Sequence, residues 1–131
     1  MKSKEEIIEF WIGQSEEDWS VSEVLYKNKK YLQSLFFGHL VIEKICKAKW
    51  IKDNSDNVPP KTHNLILLLS KTTIKLSDEQ SEFLLNLNRF QLEGRYPDYL
   101  NQIQNICNEN NTKELLLKID EVRLWLLNQM Q

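Results

Sequence analysis

The chain has few of the residues that make tight turns, cross-links and metal sites. Three glycines and three prolines in 131 residues are few for a sheet protein with many tight turns, and this composition favours an all-helical fold. The two cysteines, Cys46 and Cys107, lie far apart in apolar surroundings, so we expect both to be reduced core residues. The chain also lacks a Cys-x-x-Cys pair and any Cys/His spacing typical of zinc. The sequence therefore predicts no metal site and no cofactor.

Neither a strong charge nor a long apolar segment points to nucleic acid or membrane binding. The net charge is -2, so there is no global basic field that would recruit nucleic acid. No apolar run approaches the ~18 residues of a membrane span, and the charged first residues do not resemble a signal peptide. We therefore expect a cytoplasmic protein without membrane contact. At 131 residues, the chain has the size of one domain, spanning residues 1–131.

Apolar residues recur at helical spacing in the first half of the chain, which predicts two long helices. Ser3, followed three residues later by Glu, is a capping-box start for a helix that ends near Lys27–Lys30. Gly13 lies inside this helix and predicts a close contact with another helix. A second helix begins at Tyr31 and runs to about Lys52. The very short turn between them requires the two helices to be antiparallel.

The second half of the chain consists of shorter apolar segments separated by polar breaks. A proline-closed loop over residues 53–60 leads to a short helix over 65–69. A second capping-box-like start at Ser77 predicts a fourth helix that ends at about Gly94. After a break at Pro97, we expect a further short helix over 98–107, a polar break over 108–111 and a last helix from Thr112. The whole pattern predicts an all-α, up-and-down antiparallel bundle of about five to six helices.

A polar stripe runs along one face of the most apolar helix, which is centred on residues 35–51. His39, Glu43 and Lys47 follow one another at intervals of four residues, so a helix places them on one face. An imidazole, a carboxylate and an ammonium could together hold the base, ribose and phosphate of a nucleotide. They could equally form a self-satisfied buried network in which Glu43 pairs with Lys47 or with an arginine from another helix. Lys44 lies further round the helix and is expected to be solvated.

The segment after the double proline carries a second group of candidate binding residues. His63 stands where a helix begins, and free backbone N–H groups at a helix start favour an anion. Lys61, two residues earlier, would suit a phosphate. The alternative is a histidine that anchors the loop by bonding a backbone carbonyl, next to a solvated lysine.

The break after the fourth helix carries a third group. Arg95 precedes Tyr96 and Pro97, so its guanidinium projects from a restricted backbone. It could grip a phosphate with two hydrogen bonds, or pair with Glu43 across a cleft. Tyr96 could stack on a base or simply pack. The four tryptophans recur at helical spacing among aliphatic residues, so we assign them to the core or to a dimer interface: Trp11, Trp19, Trp50 and Trp125.

Three segments of the chain resemble blocks of the HEPN domain family, and they occur in the family's order. They are Phe37–Ala48, Pro59–Leu65 and Glu93–Asp98. The resemblance implies a helical bundle that pairs as a homodimer, with a polar cleft between helices as the binding site. It also implies a prokaryotic protein that is often encoded beside a minimal nucleotidyltransferase. Family members are described as nucleotide-binding partners of that enzyme or as metal-independent ribonucleases, which often act as toxins.

The ribonuclease motif of that family cannot be formed by this chain. The motif is an arginine followed four to six residues later by a histidine, whereas both histidines here precede every arginine: Arg89, Arg95 and Arg123. We therefore expect a non-catalytic module that binds a nucleotide and works with a nucleotidyltransferase partner. The alternatives are a divergent ribonuclease toxin acting on RNA, and a structural dimerising or antitoxin-like protein.

Overall fold

The computed structural model describes residues 2–131 and confirms the predicted all-α bundle. In chain order the helices are α1 (Lys4–Lys27), α2 (Tyr31–Asp53), α3 (Leu65–Leu69), α4 (Asp78–Leu87), α5 (Pro97–Asn105) and α6 (Glu109–Asn128), with a 3₁₀ turn over Asn88–Phe90 between α4 and α5. Within residues 2–131, no helix is both long enough and apolar enough to cross a membrane.

Two capping boxes fix the starts of α1 and α4, as the sequence predicts. The Ser3 hydroxyl accepts the backbone N–H of Glu6 at 3.2 Å, and the Ser77 hydroxyl accepts that of Gln80 at 3.1 Å. In return, the side chain of Glu6 accepts the backbone N–H of Ser3, and that of Gln80 accepts the backbone N–H of Ser77. Such caps satisfy donors that the first helical turn leaves unpaired, and each typically contributes about 1 kcal/mol.

Two predicted boundaries were wrong, and in both cases an asparagine side chain explains the difference. Helix α4 ends at Leu87 and not near Gly94, because the following turn carries Phe90 into the core and directs the Asn88 amide inward. Helix α6 begins at Glu109, because Asn108 caps it by accepting the N–H of Asn111 at 2.8 Å. The asparagine run is therefore a helix start and not a break.

Helices α1 and α2 form an antiparallel pair. Near their connection, the buried hydroxyls of Ser22 and Ser34 each donate to the other residue's backbone carbonyl at 2.8 Å. At the opposite end, the Lys4 ammonium donates to the carbonyl of Ile51 at 2.8 Å. Between these ends, Lys44 pairs with the buried Asp18 at 2.6 Å, so the expectation that Lys44 is solvated was wrong.

Helix α2 lies at the centre of the bundle and contacts α1, α3, α5, α6 and the 3₁₀ turn. Its apolar side chains form the middle of a core completed by the other elements; fully buried members include Ile42, Ile45, Leu65, Leu68, Leu84, Leu87, Phe90, Ile119 and Leu126. Both cysteines are free, with Cys46 buried in this core and Cys107 partly buried at its edge. Burial raises the pKa of the Cys46 thiol, so this residue remains a neutral packing group.

The close helix contact predicted at Gly13 occurs at Gly38 instead. A β-carbon built on Gly13 meets no atom within 4 Å, whereas one built on Gly38 lies 2.8 Å from the Cδ1 atom of Ile119 on α6. Ile119 is fully buried, so its side chain has little room to move away. The missing side chain of Gly38 therefore sets how closely α2 and α6 approach.

We expect Gly38→Ala to destabilise the protein and Gly13→Ala to stabilise it slightly. Overpacking against Ile119 costs about 1–3 kcal/mol, which exceeds the gain in helix propensity of about 1 kcal/mol. At Gly13 only the gain in helix propensity applies, because an added methyl group meets no other atom there. Urea denaturation of both variants measures the difference. Ile119→Val, which removes the clashing methyl group, should recover stability in the Gly38→Ala background; failure to recover would show that the contact is not the cause.

Candidate functional site

A buried carboxylate, that of Glu43 on α2, is the centre of a polar cluster. Only 3% of the residue is exposed, and both of its oxygens are engaged. Oε2 accepts the Lys47 ammonium at 3.1 Å, one turn along the same helix. Oε1 accepts Nδ1 of His63 at 2.8 Å. A carboxylate buried without such partners would be strongly destabilising, so these contacts stabilise the position of Glu43 in the core.

His39, one turn before Glu43, is locked in one tautomer by an asparagine from the 3₁₀ turn. Asn88 Oδ1 accepts the backbone N–H of Leu65 at 3.2 Å, so this atom is an oxygen acceptor. His39 Nε2 lies 3.2 Å from the same oxygen and must therefore carry the hydrogen. Nδ1 is left as a buried lone pair without a hydrogen-bond partner, 3.8 Å from Glu43 Oε1. That distance is too long for a hydrogen bond.

The burial of His39 keeps its ring neutral. The residue is fully inaccessible to solvent, and this desolvation lowers the pKa of the imidazole below its usual value. The nearby Glu43 carboxylate raises the pKa of His39, but the lowering by burial is the larger effect. His39 is therefore a neutral hydrogen-bonding group at physiological pH.

His63 connects three parts of the chain. Nδ1 contacts Glu43 on α2, and Nε2 lies 3.2 Å from Oε2 of Glu93, in the segment between the 3₁₀ turn and α5. The imidazole can donate to both carboxylates only when both of its nitrogens carry hydrogen. The side chain is 45% exposed and Glu93 63% exposed, so these two residues form the solvent-facing side of the cluster.

The start of α3 is not the free anion site that the position of His63 suggested. The Asn64 side chain accepts the N–H groups of Ile66 and Leu67, at 3.1 and 3.2 Å, and Asn88 accepts that of Leu65. These amide oxygens occupy the donors that an anion would need. The alternative prediction, in which His63 bonds a backbone carbonyl, is also wrong, because its partners are carboxylates.

Arg95 does not join the cluster, and no Arg95–Glu43 ion pair is found among residues 2–131. Its Nε donates to the carbonyl of Gln91 at 3.2 Å, and its guanidinium lies 4.2 Å from the centre of the Tyr99 ring. These contacts orient an exposed guanidinium while its two terminal nitrogens keep no bond within the described chain. Tyr96, at the start of α5, is 82% exposed.

The structure thus brings together four of the seven predicted site residues: His39, Glu43, Lys47 and His63. The Lys47 ammonium also lies 5.2 Å from the centre of the Trp11 ring, which adds a cation–π contact. The other three residues, Lys61, Arg95 and Tyr96, are exposed and lie outside the hydrogen-bonded cluster.

Sequence reasoning missed three members of the network, Asn64, Asn88 and Glu93. Asn64 carried a local signal, because the segment Lys61–Asn64 offers cap residues before a helix. Glu93 lies in a segment that carries the family resemblance, but nothing in the sequence paired it with His63. Asn88 lies 49 residues from His39, and no sequence pattern pointed to a contact between them.

Comparison with known families adds one result. The model of the HEPN domain family matches residues 8–129, which is nearly the whole chain. No curated protein and no solved structure gives a significant match.

We expect Asn88→Ala to lower the free energy of unfolding by about 1–3 kcal/mol, since it leaves the buried donors of His39 and Leu65 without an acceptor. Asn86→Ala is the matched control, because Asn86 is exposed on α4 and its side chain makes no hydrogen bond within residues 2–131. Urea denaturation compares the two variants. Equal stability of both would contradict the role assigned to Asn88.

We also expect stability to fall below about pH 6.5, where an unfolded histidine becomes protonated. The folded chain keeps His39 neutral, because its pKa is lowered by burial, so protons bind preferentially to the unfolded state as the pH falls. Urea titrations at about pH 7.5 and about pH 5.5 should show a smaller loss of stability in His39→Gln than in wild type. Equal losses would show that His39 does not contribute.

Proposed function

The chain belongs to the HEPN domain family, and from this premise we propose that it is a non-catalytic module that binds a nucleotide or a nucleotide-bearing ligand. The observation that carries the proposal is the pre-oriented guanidinium of Arg95, exposed and held by Gln91 and Tyr99. A fixed, planar guanidinium is suited to a phosphate, because it can donate two parallel hydrogen bonds.

The state of the histidines supports binding over RNA cleavage. General acid–base catalysis needs a ring nitrogen within reach of the substrate. His39 has a free nitrogen, but that atom is buried, and both nitrogens of the accessible His63 already face carboxylates. The chain also lacks the Arg-x(4–6)-His arrangement of ribonuclease members. A cleavage mechanism would first have to break the His63 contacts.

Two further exposed residues supply the other contacts in this proposal. Tyr96 offers an exposed ring on which a base could stack, and Lys61 offers a second cation for phosphate. The cluster of His39, Glu43 and Lys47 then serves to hold His63 and its loop in place. Family membership adds a nucleotidyltransferase as the class of protein partner in this proposal.

A screen of nucleoside mono-, di- and triphosphates by thermal shift and calorimetry tests the proposal. We expect wild type to bind at least one of these ligands, and Arg95→Ala to bind it about 10- to 100-fold more weakly, since a hydrogen bond to a charged group contributes about 1.5–3 kcal/mol. Arg95→Lys should fall between the two, because it keeps the charge but loses the planar geometry.

Arg123→Ala is the control for this screen, because Arg123 is already paired with Asp120 at 2.7 Å and should not affect ligand binding. Absence of binding by wild type at millimolar ligand would contradict the proposal. RNA cleavage by wild type that is lost in both His39→Ala and His63→Ala would support the ribonuclease alternative instead.

A further inference from the structure

A small pocket of about 220 Å³ lies between α1 and α6 and shares no residue with the polar cluster. Much of its surface is apolar. Trp19 and Leu116 pack against the core beside it, and Tyr26 lines it one face along from Trp19 on α1. Leu117 also lines the pocket although 63% of the residue is exposed. A mostly apolar concave surface with a few charged groups is typical of a site for a small molecule.

Helices α1 and α6 run antiparallel along the two sides of the pocket. Gly38 approaches the middle of α6, and Lys49, further along α2, donates to the carbonyl of Gln129, so α6 is parallel to α2. Because α1 is antiparallel to α2, it is also antiparallel to α6. The Arg123 guanidinium accordingly lies 5.1 Å from the centre of the Trp19 ring. The last residues of α1 therefore lie level with the first turns of α6.

This arrangement separates the charges of the pocket by sign. Lys27, at the end of α1, and Lys113, near the start of α6, lie at one end. Glu23 lies one turn back along α1, and Asp120 lies seven residues further along α6. Over the described residues 2–131, Glu23, Lys27 and Lys113 make no ion pair. The pocket thus has a basic end and a more acidic end, with an apolar surface between them.

Two side chains of the pocket are held in place by one arginine. Arg123 donates to Oδ1 of Asp120 from Nε at 3.1 Å and from Nη2 at 2.7 Å, and the same guanidinium contacts the Trp19 ring. At the basic end, the centre of the Tyr26 ring lies 5.8 Å from that of Tyr31. Such positioning in the free protein lowers the entropic cost of binding a ligand.

We propose that this pocket binds a zwitterionic peptide of two or three residues with apolar side chains. The carboxylate of the peptide pairs with Lys27 and Lys113, and its ammonium pairs with Glu23 and Asp120. An apolar side chain of the peptide packs on the Trp19 ring. A nucleotide phosphate carries no cation for the acidic end, and a simple cation would leave both lysines without a partner.

The spacing of the charges favours a peptide of this length. Charged residues four and seven positions apart on one helix are separated by about 6 and about 10 Å, since a helix rises about 1.5 Å per residue. The ends of an extended peptide of two or three residues are about as far apart, because consecutive α-carbons are about 3.8 Å apart. A single amino acid carries both charges on one α-carbon. This inference concerns a separate surface and does not depend on nucleotide binding near Arg95.

NMR titration of the ¹⁵N-labelled protein with leucyl-leucine tests the proposal. We expect the indole N–H signal of Trp19 to shift, together with the backbone signals of residues that line the pocket, while the indole signals of Trp50 and Trp125 stay in place. Acetyl-leucyl-leucine lacks the ammonium, and leucyl-leucine amide lacks the carboxylate. Each blocked form should bind about two- to fivefold more weakly than the free dipeptide, which is the effect of losing one exposed ion pair.

Two neutral variants assign the two ends of the pocket. Lys113→Gln should weaken binding of leucyl-leucine about two- to fivefold but leave binding of the amide unchanged. Glu23→Gln should weaken binding of leucyl-leucine similarly but leave binding of the acetylated form unchanged. Lys118→Gln and Glu16→Gln are the matched controls, because these residues are exposed on the same two helices and do not line the pocket. Circular dichroism verifies that each variant is folded.

Several results would overturn the proposal. One is the absence of any shift at tens of millimolar leucyl-leucine. Others are equal binding of the free and blocked dipeptides, and equal weakening in the control variants. Signals of the pocket that move on dilution of the protein without peptide would show that a second copy covers the pocket, and would also contradict it.

Discussion

The buried carboxylate of Glu43 is the constraint on which the polar part of this structure depends. Helix α2 is surrounded by other elements, so a charged side chain on its inner face must find partners within the chain. Lys47 supplies one from the same helix, and His63 supplies the other from the loop before α3. A buried carboxylate that loses a partner is destabilised, so the segment that carries His63 is coupled to the core.

This coupling extends outward through two further contacts. His63 reaches Glu93 with its second nitrogen, and His39 reaches Asn88, whose amide also holds the start of α3. His39 of the central helix therefore holds the 3₁₀ turn, and His63 of the preceding loop contacts the segment that follows the turn. The segment after the turn also carries Arg95, whose guanidinium contacts Gln91 and Tyr99 and not the cluster. In the proposed function, the polar stripe holds the structure and the ligand contacts lie outside it.

The polar groups of the cluster already have partners within the chain. Glu43 pairs with Lys47, and His63 contacts the carboxylates of Glu43 and Glu93, which limits what a ligand can gain there.

The sequence by itself determined the helical architecture, both capping boxes and the stripe of His39, Glu43 and Lys47, because these depend on periodicity and on neighbours within one or two turns. It did not determine the partners of His63, the role of Asn88, the end of α4 or the contact made by Gly38. Those depend on residues 20 or more positions apart, such as Glu43 with His63 and His39 with Asn88. Only the packing of α3, the 3₁₀ turn and α6 against α2 decides which distant side chains meet, and local sequence patterns carry no information about that packing.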